Sequence, residues 1–252
     1  EFKSIINYSF KMEKKIFMAR VADQSERYED MVQFLKEIVE ESSEDVSTDV
    51  RNLLSVGFKN LISSQRSAWK TVQAIEQNKK YAEYSSNCNE YKEKIAKELE
   101  QNCKKIIGIV NDYCLPKAGD EEAKVFYLKM IGDYYRYTAE CATGDMLAEV
   151  TEKANKYYNQ ATEAAQNLKP YSSNKLGLAL NYSVFYYELK NDSTKACSIA
   201  EEALNGARDE IDNMDNEEAR DALSIIELLK ENLDLWKEEE GGGGDDNAVE
   251  DL

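Results

Sequence analysis

The stretch Val125-Phe126-Tyr127-Leu128-Lys129-Met130-Ile131-Gly132-Asp133-Tyr134-Tyr135-Arg136-Tyr137 decides the fold of this chain. Its aliphatic and aromatic residues point in nearly every direction around a helix, and a helix that is apolar all round is a buried one. The exceptions are Lys129, Asp133, Arg136 and, just beyond, Glu140. They recur at intervals of four, three and four, which places them on one stripe. A charged stripe on a buried helix must face a cavity, a partner or water; read by itself it is equally a salt-bridge ladder.

The same period runs outward in both directions. Met31, Phe34, Leu35, Ile38 and Val39 recur at three and four residues, as do Phe58, Leu61, Ile62, Trp69, Val72 and Ile75. Tyr91, Ile95, Leu99, Ile106 and Val110 form a third run, and Val150, Ala154, Tyr157, Ala161, Ala165 and Leu168 a fourth. No sustained alternation of period two is present. The two prolines, Pro116 and Pro170, fall between helical runs, where helices end. Asp120, followed by Glu121 and Glu122, reads as an N-cap with acids at the positive end of the dipole. Asp215-x-x-Glu218 has capping-box spacing. These signals predict an all-α fold of about nine helices, near 10–22, 24–41, 47–77, 84–113, 121–142, 146–169, 175–190, 193–210 and 215–236. The short connections between most of them predict antiparallel neighbours.

Composition then removes whole classes of function. None of the 252 residues is histidine, so no Ser-His-Asp triad, Cys-His pair, Cys₂His₂ zinc site or Glu-x-x-His di-iron site exists here. No cofactor or metal is expected. The net charge of −17 opposes general nucleic-acid binding and anionic membrane surfaces and favours basic partners. No stretch of about 18 apolar residues could span a membrane, and Glu1 to Tyr8 lacks the apolar run of a signal peptide. Five widely spaced cysteines, Cys88, Cys103, Cys114, Cys141 and Cys197, with no C-x-x-C, read as reduced, packed thiols of a cytosolic protein. After Trp236 the chain becomes acidic and glycine-rich. Residues 237–252 therefore read as a disordered tail, residues 1–9 as an N-terminal extension and 10–236 as the helical domain.

Further stripes repeat the pattern. In Leu176 to Leu189, Gly177, Asn181, Val184 and Glu188 share a direction. Ser224, Leu228, Asn232 and Leu235 form a line with one amide among apolar residues, and Lys59, Ser63, Arg66 and Lys70 share a face opposite the apolar one. An Arg-rich site with isolated amides and an apolar wall suits phosphate, which Arg clamps with charge-assisted, often bidentate bonds. Taken singly, each stripe is also an ordinary solvated face or a core amide. Periodicity reaches no further than an acidic helical protein that binds anionic peptides.

Four segments narrow this. Arg51-Asn-Leu-Leu-Ser-Val-Gly-Phe-Lys-Asn60, continued by Arg66-Ser-Ala-Trp-Lys70, resembles the third helix of the 14-3-3 family. Val125–Tyr137 is similar to its fifth helix, Leu176-Gly-Leu-Ala-Leu-Asn-Tyr-Ser-Val-Phe-Tyr-Tyr-Glu188 to its seventh, and Leu228-Leu-Lys-Glu-Asn-Leu-Asp-Leu-Trp236 to its ninth. The resemblance implies a cup-shaped helical domain with a concave peptide groove. It also implies a non-enzymatic adaptor that binds phosphoserine- or phosphothreonine-containing clients and regulates their activity, localisation or assembly. It makes Lys59, Arg66 and Arg136 the phosphate-gripping cations and Tyr137 a hydroxyl donor beside them. Lys129 would line the same groove, Asn181 and Asn232 would hold the peptide backbone, and Leu180, Val184, Ile225, Leu228 and Leu235 would form the apolar wall. Glu188 and Trp236 would add peptide contacts. A homodimer or heterodimer is implied, with Arg27 and Asp30 of one subunit meeting Tyr91, Lys94 and Glu98 of the other. A cytoplasmic location is implied too, with the nucleus as a second compartment.

The chain departs from the family at Ser224, where a leucine of the wall is usual, and at Ile131, where many members carry Lys. It departs again at Gln65, where a second Arg is usual, and at Ala68, which replaces a serine that is a kinase target in some members. The competing functions are a helical scaffold for unmodified peptides, an acidic chaperone and an enzyme. The scaffold predicts a repeat period of about 34–47 residues, and none is visible. For the enzyme, no carboxylate pair stands out beyond salt-bridge spacing.

Overall fold

The computed structural model describes residues 2–211 and 216–242. Among them are nine α-helices and no strand: α1 Phe2–Gln24, α2 Tyr28–Glu41, α3 Thr48–Gln77, α4 Ser85–Ile109, α5 Glu121–Ala139, α6 Gly144–Ala164, α7 Ser173–Lys190, α8 Ser193–Ile211 and α9 Asn216–Gly242. The all-α reading holds. The chain divides inside α6, between Tyr157 and Tyr158, into two compact units.

In the first unit, one core runs through α2 to α5. It joins Met31, Leu35 and Ile38 to Leu54, Phe58 and Ile62, to Leu99 and Ile106, and to Tyr127, Ile131 and Tyr134. Gly57 sets how closely α3 approaches α2. A Cβ there would sit 3.0 Å from Met31 Sδ and 3.2 Å from Leu35 Cδ1. Asp120 caps α5 by accepting from the Ala123 N–H at 2.7 Å, as the sequence predicts, and Ser47, which the sequence reading did not single out, caps α3 by accepting from the Val50 N–H. α4 does not run on regularly to residue 113. It opens into a π-turn over Val110–Cys114 and closes in a 3₁₀ turn, Leu115–Lys117, that carries Pro116. The turn delivers Lys117 to the end of α2, where its Nζ donates to Val39 O at 2.6 Å and Ser42 O at 2.7 Å. A cation at orphaned carbonyls is the favourable arrangement for a helix C-terminus.

In the second unit, Leu176, Ala196, Cys197, Ala200, Ala222, Ile226, Leu229 and Leu233 form a separate core. The small residues of α8 let it pack closely. Asn191, in the left-handed region at φ 49°, ends α7 and lets the Asp192 N–H reach back to Tyr186 O at 3.0 Å.

Several boundaries differ from the sequence reading. α1 begins at Phe2, so most of the expected 1–9 extension is helical. α2 begins at Tyr28 rather than 24, because Glu26 adopts φ 55° and breaks the chain there. α5 and α6 end earlier than expected, at Ala139 and Ala164. α9 continues through Gly242, so the segment from 237 to 242 is helix rather than disordered tail. Lys237 Nζ ties that extension to Glu201 at 2.6 Å, and Tyr187 donates to Glu239. The rest of the tail, and the capping box read at Asp215, lie outside the described residues.

Candidate functional site

The charged stripe of α5 meets α3 within the first unit. Arg66, from α3, donates from Nε to Glu140 Oε2 at 2.8 Å and from Nη2 to Glu140 Oε1 at 2.5 Å. Its guanidinium carbon lies 4.1 Å from the centre of the Tyr137 ring, and that of Arg136 lies 4.6 Å from the same ring. One aromatic face system thus supports two cations whose charges repel, each gaining about 0.5–2 kcal/mol from the ring quadrupole. Lys129 Nζ donates to Asp133 Oδ2 at 2.9 Å, and Asp133 Oδ1 lies 4.0 Å from Arg136 Nη2. Asp133 and Arg136 are 5% and 6% exposed, although both are formally charged. A buried charge has to be matched to be tolerated, so the first unit carries a preassembled cationic cluster.

The aromatic rings beneath the cluster pack edge to face. Tyr134 packs edge-on to Phe58 at 6.3 Å and to Tyr137 at 5.5 Å. Burial raises the Tyr137 hydroxyl above its ordinary value, Asp133 adds to the rise, and the two arginines oppose it. The phenol therefore stays protonated, and its O–H remains available as a donor. Burial works against the charge on Arg66, but the Glu140 hydrogen bonds and charge outweigh it and hold the guanidinium above its usual range.

Of the four expected phosphate ligands, the structure gathers Arg66, Arg136 and Tyr137, with Lys129 on the same stripe. Lys59 is exposed two turns earlier on α3 and has no ion pair among the described residues. Glu140 gives both its oxygens to Arg66, on α3, rather than to Arg136 four residues before it on the α5 stripe. The salt-bridge ladder is therefore only half formed, with its last rung crossing to another helix.

The remaining candidates belong to the second unit. Leu180, Val184 and Ile225 are half-buried on the flank of its core. Asn181 and Asn232 are half-buried and Glu188 is exposed. Leu228 and Leu235 are 49% and 50% exposed, one helical face of α9 with Asn232 between them. Trp236 is different: it is 3% exposed and stacks on Tyr187 at 4.9 Å, inside the second core. One face of the indole expected to contact the peptide is covered by Tyr187.

Comparison with known proteins agrees with this geometry. A model of the family described as 14-3-3 protein matches residues 18–237. The 14-3-3 protein zeta of Bombyx mori is 42% identical over 238 residues, which is 94% of this chain and 96% of that protein. The 14-3-3 protein beta/alpha of Xenopus tropicalis is 41% identical over 92% of this chain and 96% of its own length, and the 14-3-3 protein 2 of Entamoeba histolytica is 40% identical over 91% and 97%. The chain belongs to the 14-3-3 family. Lys129, Asp133, Arg136 and Tyr137 of the cluster lie in the stretch quoted first, and Arg66 comes from α3.

Among residues expected at a dimer contact, Arg27 and Asp30 pair within the chain, and Tyr91, Lys94 and Glu98 lie exposed along α4. None of the five cysteines forms a disulfide, and Cys103, Cys114 and Cys197 are buried. Burial pushes the Cys103, Cys114 and Cys141 thiols up to about 12, which keeps them protonated and poorly nucleophilic. No group of metal-ligating side chains and no helix long and apolar enough to cross a membrane occurs among the described residues.

Proposed function

We propose that this 14-3-3 protein is a phosphoserine/phosphothreonine-dependent adaptor that binds phosphorylated clients and performs no chemistry on them. The observation that carries the reading is the pair of guanidiniums, Arg66 and Arg136, held on one Tyr137 ring. Together with Lys129 and the Tyr137 hydroxyl they offer charge and donors to an anion with several oxygens. A phosphoryl group carries about −1.5 to −2 charge and three acceptor oxygens, which can engage both arginines at once. An unmodified serine leaves the cations as they are. Asn181, Asn232 and the exposed Leu228 and Leu235 are proposed contacts to the client chain, and Lys59 a further phosphate ligand. The protein is proposed to act as a dimer in the cytoplasm.

The test is fluorescence anisotropy with a peptide in phosphorylated and unphosphorylated forms. At least about tenfold tighter binding of the phosphorylated form is expected, equal to roughly 1.4 kcal/mol. Equal affinity would point to a scaffold or chaperone for unmodified peptides.

A further inference from the structure

Glu140 is an acid placed where helix electrostatics disfavour it. It occupies the C-terminal cap of α5, the end that prefers cations. Its side chain is 12% exposed, and both its oxygens are given to Arg66, a residue 74 positions earlier. A guanidinium has five N–H donors. The clamp occupies Nε–H and one N–H of Nη2, so both N–H groups of Nη1 and one of Nη2 are left for another acceptor. Arg66 is thus a cation already matched by one carboxylate.

We propose that Glu140 is a positioning residue that sets the specificity of the cluster: it holds Arg66 against Tyr137 and acts as a built-in carboxylate competitor that screens out client Asp and Glu in favour of phosphate. This rests on Arg66 being a phosphate ligand, as proposed above. A client carboxylate offers one charge and two oxygens, which Glu140 already supplies without any cost of association. Its arrival therefore gains little. A phosphoryl group brings more charge and a third oxygen, so it can use the three remaining donors of Arg66 and reach Arg136 while the clamp stays closed.

The experiment compares three forms of one peptide, with serine, phosphoserine or glutamate at the central position, on the wild type and on Glu140→Gln. In the variant the phosphoserine-to-glutamate affinity ratio should fall about tenfold, because the glutamate peptide gains a guanidinium that Glu140 no longer occupies. A residue that served only the fold would move both affinities together or lower the melting temperature, and an unchanged ratio would overturn the proposal. Glu140→Asp, which keeps the charge on a shorter arm, should still reject the glutamate peptide; acceptance would also overturn it. If Glu140→Gln does not fold, the wild type decides through competition. Acetate should fail to displace the phosphopeptide at the concentration where inorganic phosphate displaces half, and equal displacement would sink the idea. A wild type that does not prefer phosphoserine would instead remove the adaptor reading itself.

Discussion

Tyr137 performs two tasks with two parts of one side chain. Its ring carries Arg66 and Arg136, and its hydroxyl is kept protonated by burial. Arg136→Ala should abolish phosphopeptide binding, since losing a charge-assisted pair costs at least about 1.5–3 kcal/mol. Circular dichroism should show the helices intact, because Asp133 keeps Lys129 as a partner. Unchanged affinity in a peptide titration would remove Arg136 from the site. Tyr137→Phe keeps the platform and deletes the donor, so it should weaken binding by less than Arg136→Ala does in the same titration. Lys129 and Arg136 were legible in the sequence because they stand on a stripe of an otherwise apolar helix, whereas Arg66, on a polar face of α3, was singled out only by the family resemblance. The Glu140 partner was not, because spacing rules see only neighbours on the same helix. The partner of Glu140 comes from α3, and only the packing of α3 on α5 reveals it.

Within the elements, α1 and the α2–α3 contact make separate predictions. Lys15 Nζ holds Glu37 and Glu41 of α2, each at 2.9 Å. The hydrogen bond from Lys15 leads in holding the Glu37 carboxyl below its ordinary value, and those from Lys11 and then Lys15 do the same for Glu41. A carboxylate with a lowered folded value adds stability above its unfolded value near 4.5 and loses it as pH falls through the folded one. Lys15→Gln should therefore melt below the wild type at pH 7, with the gap narrowing as pH falls below 4.5. A gap that persists in acid would show that Lys15 acts through packing. Gly57→Ala sets two magnitudes against each other. Ala gains about 1 kcal/mol of helix propensity, while overpacking Met31 and Leu35 costs about 1–3 kcal/mol. The crowding should win, lowering the denaturant midpoint. The sequence predicted where helices exist far better than how they end. Pro116 marked the break after α4, but nothing in the periodicity marked the π-turn before it or the placing of Lys117 at the end of α2. Glycines after residue 240 read as disorder, yet the backbone of α9 stays helical to Gly242.

Taken as a whole molecule, the proposed dimer predicts a light-scattering mass near twice 28.8 kDa at micromolar concentration. A client with two phosphosites should then bind with an avidity about 10²–10⁴ above a single site. A monomer in solution with no gain for the doubly phosphorylated peptide would end that reading. Tyr91, 55% exposed on α4, is the residue whose substitution by Lys should shift the mass toward the monomer.

The buried thiols have a consequence of another kind. Histidine is the side chain whose ordinary value falls between pH 5 and 8, and this chain has none. Perturbed cysteines can also titrate in that window, but burial has moved Cys103, Cys114 and Cys141 to about 12. Neither histidine nor these three thiols exchange a proton beside the cationic cluster at neutral pH, so the expected change of charge is on the ligand. Phosphate loses its second proton near pH 6. Affinity for a phosphopeptide should rise as pH climbs from 5 through 6 and then level off, following a single ionisation. Such a curve would make the protein a silent electrode, reading out the acidity of its client's phosphate rather than its own.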